Sequence, residues 1–242
     1  MNLPNAITAA RIAVAPVIAW LVLLPSWPVR LIAWVLYIAA AVTDYYDGKL
    51  ARSRNLVTDL GRLLDPLADK LLLVCTLGPM WWLTRGLPLI TPVPAPDDWA
   101  VPGIVGPVMS GAHEAWPFVT PFGLVATPLW IVLVVLGREA AMTVFRQYAA
   151  RRGLIISAIG PAKWKTGFQS AWAGAAFFWF FSAAAAAQLR WTSDWWRYFA
   201  IFNGLAGTAS MIGAVGLTLY SLALYARRYG YILGNSAREA GR

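Results

Sequence analysis

Charge is scarce in this chain: Asp, Glu, Lys and Arg make up 13% of its 242 residues, against 59% hydrophobic residues. So little charge cannot cover the surface of a soluble globule, which excludes that class. There is one cysteine, Cys75, so an internal disulfide is excluded, and its apolar setting reads as packing. A single histidine, His113, stands without a neighbouring Cys or His pattern and reads as an ordinary surface residue, not a zinc ligand. No convincing internal repeat is present, which leaves an inverted-repeat transporter unsupported.

What the chain does have is long apolar runs. Several reach the roughly 20 residues needed to cross hydrocarbon, and six are read as spans, at roughly 12–27, 29–50, 61–84, 122–146, 163–188 and 198–226, the first short and the last long enough to tilt. The expected fold is therefore an all-α integral membrane protein with six transmembrane helices, organised as one membrane domain over residues 1–242. A short amphipathic helix at the interface is expected over 1–11, from "MNLPNAITAAR". The N-terminal run lacks a small-residue cleavage site and is read as mature protein.

Net charge is +9, yet the basic residues sit at span ends rather than in a Lys/Arg tract, so nucleic acid is not an expected partner. Membrane lipids with anionic headgroups suit them better. Arg11, Lys49, Arg52, Arg146, Arg151, Lys163, Arg227 and Arg228 share one side, whereas Arg30, Arg85, Arg190 and Arg197 fall on the other. The positive-inside rule then places both termini in the cytoplasm of a multi-pass protein of the cytoplasmic membrane. On the outside, residues 85–121, rich in Pro and Gly, should form an irregular external insertion, and 229–242 a cytoplasmic tail. Tryptophans in "MWWL" and "WTSDWWRYF" mark the headgroup level.

Acidic residues number eleven, and five of them fall in "DYYDGKLARSRNLVTDLGRLLDPLADK", residues 44–70. Asp44 and Asp47 are three apart, and Asp65 and Asp69 four apart, so each pair shares one helix face. Antiparallel neighbours would level the four acids just inside the cytoplasmic leaflet. Uncompensated, such charges are costly near hydrocarbon, so a cation must answer them. Oxygen donors without Cys or His favour Mg²⁺ or Mn²⁺, and two such ions would balance four carboxylates. Gly48 and Ala51 leave room beside the helix, and Arg52 offers a planar fork for phosphate oxygens. Metal and arginine beside small residues suggest a diphosphate ligand. A simpler alternative has the acids pairing with Arg54, Arg62 or Lys70 and facing water.

Written out, residues 44–69 read DxxDGxxARx8GxxxDxxxD. This resembles the signature of the CDP-alcohol phosphotransferase family, with all eight identities in place. The resemblance implies a six-span homodimer that moves a phosphatidyl-type group from a CDP-linked lipid to an alcohol, releasing CMP, with divalent metal. It implies that Asp44, Asp47, Asp65 and Asp69 are metal ligands and that Asp69 is also the catalytic base. Gly48, Ala51, Arg52 and Gly61, with Asp47, would line the CDP-diacylglycerol pocket, Thr58 would add to it, and Thr8 and Arg11 would close it from the other side.

"NLPNAITAARI" and "TDLGRLLDPLADKLLL" are similar to the phosphatidylglycerophosphate synthase branch of that family. "REAAMTVFRQYAARRG" and "KWKTGFQ" are similar to its later blocks, which contain Arg138, Glu139, Arg146, Lys163, Lys165, Thr166 and Gln169. Arg138, Arg146, Lys163 and Lys165 suit an anionic acceptor, glycerol 3-phosphate, with CDP-diacylglycerol as donor. The external insertion and the C-terminal tail depart from the compact bacterial branch. Alternatives are another acceptor (inositol phosphate, glycerol, serine or a second phosphatidylglycerol), and outside the enzyme class a cation transporter or a membrane scaffold.

Overall fold

The computed structural model describes residues 3–53, 59–92, 106–152 and 161–229, and the following concerns those residues. Six helices dominate: α1 (Leu3–Leu23), α2 (Trp27–Ser53), α3 (Asp59–Thr84), α4 (Leu129–Arg151), α5 (Pro161–Leu189) and α6 (Asp194–Tyr229). Their ends follow local chemistry. Pro25, beyond α1, pulls the preceding residue out of helical geometry, and Pro28 and Pro161 occupy first turns where no N–H is needed. Gly86, at φ +83°, takes the chain out of α3. Asp194 opens α6, and Arg227 and Arg228 close it, each matched to the helix dipole.

Contacts run around a closed ring, α1 to α2, α2 to α5, α5 to α6, α6 to α4, α4 to α3 and α3 back to α1. The interior is aromatic: Trp172, Phe177, Trp179 and Phe180 of α5 are buried, Tyr37 of α2 stacks on Phe177, and Trp179 stacks on Trp196. The outward faces are apolar too. Trp20, Val35, Leu133, Phe202 and Ile212 are exposed, as expected where the surrounding solvent is lipid. Four helices, over Asn5–Leu23, Trp27–Asp44, Trp164–Leu189 and Asp194–Tyr229, are long and apolar enough to cross a membrane. These are the helices of an integral membrane protein. Helices α3 and α4 are as long, but their charged residues take them below that apolar threshold.

Three sequence expectations are corrected. Residues 3–11 do not form a separate helix: Leu3–Leu23 is one unbroken helix, because Pro4 sits in its first turn, Pro16 is accommodated inside it, and the rest of the run is rich in Ala. The fold is not purely helical either. The segment between α3 and the fourth long helix holds short antiparallel strands, β1 (Ile90–Thr91), β2 (Val108–Ser110), β3 (His113–Ala115), β4 (Phe118–Thr120) and β5 (Gly123–Val125), in sheets ordered β1-β5-β4 and β2-β3. Finally, the fourth long helix starts at Leu129 rather than 122, since Gly123 (φ +126°) and Pro128 hold the preceding residues extended. The remaining residues of the insertion, 93–105, and the tail from 230 lie outside the described residues.

The β4-β5 hairpin is sunk into one end of the helix ring, with all six strand residues buried. It lies on α6 at Gly204 and Gly207, where a Cβ would run into the Val119 carbonyl and the Phe118 ring. Arg30, buried at the start of α2, ties this cap to the helices. Its Nε donates to the Leu24 carbonyl at 2.8 Å, its Nη1 to the Phe180 carbonyl at 3.3 Å, and its guanidinium lies 4.6 Å from the Trp116 ring centroid. His113 uses Nε2 for a 3.1 Å hydrogen bond with the Arg85 carbonyl, a structural contact within the cap.

Candidate active site

The acidic stretch lies at the opposite end from the cap. Asp44 is on the last turns of α2, while Asp65 and Asp69 are on the first half of α3. Helix α1 passes against both and presents Asn5, Thr8 and Arg11, three buried polar residues spaced along one face. Thr8 Oγ1 donates to Asp65 Oδ1 at 2.9 Å. The Arg11 guanidinium forms an ion pair with Asp44 and lies 3.5 Å from Asp69 Oδ1. One buried cation thus gathers carboxylates from two helices and lowers the repulsion between them.

The carboxylates are not themselves sealed: the Asp44 and Asp69 side chains are 45% and 61% exposed, against 4% for Arg11. They open on a cavity of about 160 Å³ between α2, α3, α4 and α5. Its far wall is formed by Glu139 of α4 and by Lys165, Thr166 and Gln169 of α5. Residues 165, 166, 169 and 170 follow the helical repeat, so one face of α5 lines the space. The Lys165 ammonium is ion-paired with Glu139. Behind that pair, Arg138 Nη1 reaches the same Glu139 oxygen at 3.1 Å, and its Nη2 donates to Ser221 Oγ at 2.9 Å. Arg146 Nη2 donates to the Tyr225 hydroxyl at 3.0 Å, and its guanidinium carbon lies 5.7 Å from that ring. Three cations and one carboxylate leave a local surplus of two positive charges near the described aspartates, Asp44, Asp65 and Asp69.

Of the residues singled out from sequence, Thr8, Arg11, Asp44, Asp65 and Asp69 come together at one place, and Lys165 reaches the same cavity from α5. Gly61 is buried on α3. Arg138 and Arg146 do not line the cavity; they stand behind it, held by α6. For Asp47, Gly48, Ala51 and Arg52 the structure describes the position on α2, and for Lys163 the position at the start of α5, but not the side chains. Thr58 lies outside the described residues. Tyr37, Ser170, Ser221 and Tyr225 carried no sequence signal. Tyr37 donates to the Ser170 carbonyl at 3.0 Å and fixes α2 against α5 at the cavity wall, and Tyr225 and Ser221 support Arg146 and Arg138.

Among the described residues, no group of three acidic, His or Cys side chains surrounds a single point. Asp44 and Asp69 nevertheless converge on one cation, Arg11, and every candidate donor is a carboxylate oxygen, the chemistry that suits a hard divalent ion.

The family profile described as CDP-alcohol phosphatidyltransferase matches residues 1–203. A CDP-diacylglycerol–glycerol-3-phosphate 3-phosphatidyltransferase of Bacillus subtilis (strain 168) is 33% identical over 177 residues, covering 68% of this chain and 70% of that protein. The protein of the same name from Rickettsia bellii (strain RML369-C) is 47% identical over 76 residues, 31% of this chain. A Streptomyces coelicolor protein named cardiolipin synthase (CMP-forming) is 42% identical over 85 residues, covering 34% of this chain and 40% of its own. The match with the Rickettsia bellii relative spans 42% of that protein's length.

Proposed function

The chain belongs to the CDP-alcohol phosphatidyltransferase family, and from that premise we propose that it transfers the phosphatidyl group of CDP-diacylglycerol to sn-glycerol 3-phosphate, yielding phosphatidylglycerophosphate and CMP. The observation that carries this reading is the single cavity that has Asp44 and Asp69 on one wall and the Lys165–Glu139 pair on the other. Carboxylates that suit metal and a diphosphate thus face a cationic surplus that suits a phosphorylated acceptor. The relatives named for glycerol 3-phosphate support that acceptor over inositol phosphate.

In this reading Asp44, Asp47, Asp65 and Asp69 hold two divalent ions, Mg²⁺ or Mn²⁺, which when bound supply positive charge for the donor's diphosphate. Gly48, Ala51, Arg52, Thr58 and Gly61 line the donor pocket with Asp47, and Thr8 and Arg11 hold the carboxylate cluster together from α1. The acceptor's phosphate faces Lys165, backed by Arg138 and Arg146, with Lys163 at the entrance of α5. Asp69, half-open to the cavity, takes the proton from the acceptor hydroxyl. The freed oxygen attacks the β-phosphorus in line, the bond from that phosphorus to the bridging oxygen breaks, and the electron pair leaves on CMP.

The same proposal makes α3 and α4 membrane spans along with the other four helices, in one domain over 1–242. The first turns of α1, the active site and both termini lie at the cytoplasmic face of the cytoplasmic membrane, and the protein is a homodimer. Basic residues clustered at the end of the molecule that carries the acids support this orientation.

The test is to incubate the purified protein with CDP-diacylglycerol and Mg²⁺ plus each acceptor in turn, and to identify the lipid formed. Phosphatidylglycerophosphate from glycerol 3-phosphate is the expected product. Turnover with inositol phosphate or phosphatidylglycerol but not with glycerol 3-phosphate would overturn the acceptor, and ion flux without CMP would overturn the enzyme class.

A further inference from the structure

Gln169 sits on α5 one turn beyond Lys165, on the face that lines the cavity. It is 7% exposed, and its Nε2 has no hydrogen-bond partner among the described residues. A buried amide donor left unmet is costly, so its persistence at the wall of a cavity points to a group that arrives with the ligand. The nearby ionic groups are already engaged. Lys165 is paired with Glu139, and Asp44 and Asp69 with Arg11. Gln169 therefore contributes what they do not, a neutral, directional donor on the cavity that Lys165 and Asp69 also line.

We propose that Gln169 is a specificity-determining residue for the acceptor, its Nε2 donating to the hydroxyl of glycerol 3-phosphate that does not react. The inference rests on the proposed acceptor and extends it. Glycerol 3-phosphate offers three groups in line: a phosphate, a secondary hydroxyl and a primary hydroxyl. Lys165 suits the first and Asp69 the last, which leaves the middle hydroxyl for another donor or acceptor on the lining of the same cavity. A wall that meets this hydroxyl discriminates against an acceptor without it, because the buried amide then remains unpaired.

The experiment compares glycerol 3-phosphate with 3-hydroxypropyl phosphate, which keeps the phosphate and the primary hydroxyl at the same spacing and lacks the secondary one. CMP release is measured with the full-length protein, CDP-diacylglycerol and Mg²⁺. The unaltered protein should favour glycerol 3-phosphate in kcat/KM by about tenfold to a hundredfold. In Gln169→Met, which keeps length and removes both polar atoms, the ratio should fall close to one while the KM for CDP-diacylglycerol is unchanged. Gln169→Leu serves as a second apolar replacement should the first not accumulate. Preference retained in the variants, or absent from the unaltered protein, overturns the role of Gln169 and leaves the acceptor standing. No turnover of glycerol 3-phosphate by the unaltered protein overturns the acceptor itself, and the inference with it.

Discussion

The Arg11 guanidinium of α1 lies 3.5 Å from the Asp69 carboxylate of α3 while ion-paired with Asp44 of α2. A residue far from the acidic stretch in sequence thus sets the spacing of two of its carboxylates. Arginine suits the place because its planar fork addresses two carboxylates at once and stays charged when buried.

Removing that guanidinium should make the acidic cluster depend on divalent metal. In Arg11→Gln the carboxylates repel each other without metal, so Mg²⁺ should raise the melting temperature in detergent more than it does in the unaltered protein. Equal shifts in the two proteins would show that Arg11 does not balance these acids.

Asp69→Asn keeps the shape of the side chain and removes its basicity. CMP release should fall by about 10²–10⁴-fold, with the melting temperature little changed. Asp69 is 61% exposed, so the substitution costs little folding energy. Turnover within a few-fold of the unaltered protein would remove Asp69 as base.

Glu139 bridges Lys165 and Arg138, whose side chains are 6% and 5% exposed. Glu139→Gln leaves two buried cations facing each other, a loss of the order of 3–5 kcal/mol by analogy with other broken buried pairs. Thermal unfolding should show it, and Glu139→Gln combined with Lys165→Met should recover part of the loss. A double variant less stable than the single one would contradict the pairing.

At the other end, Gly204→Ala would press a methyl group on the Val119 carbonyl, and the hairpin must shift, at a cost of about 1–3 kcal/mol. The melting temperature should drop while the KM values for both substrates hold. A change in acceptor KM would mean that the cap and the cavity are coupled.

The placing of Asp44 and Asp47 on one helix and of Asp65 and Asp69 on the next was legible because helix periodicity is a local property. The strands β4 and β5 were not. "FVTPFGLV" is short, and its Val119 and Phe118 pack against Gly204 and Gly207, some eighty positions further on. The single helix Leu3–Leu23 escaped notice because a change from polar to apolar residues alters a helix's surroundings without breaking its hydrogen bonds.

By itself, then, the sequence determined the apolar helices, the pairing of the four aspartates on two helices and the family they mark, all of which follow from residue type and short spacing. The tertiary structure decided that Arg11 and Thr8 meet Asp44, Asp65 and Asp69, that Lys165 shares a cavity with Asp44 and Asp69 while Arg138 and Arg146 stand behind, and that Gln169 lines that cavity with an unmet donor. Those relationships join residues from different helices, and helix periodicity says which face a residue occupies but not which helix that face will meet.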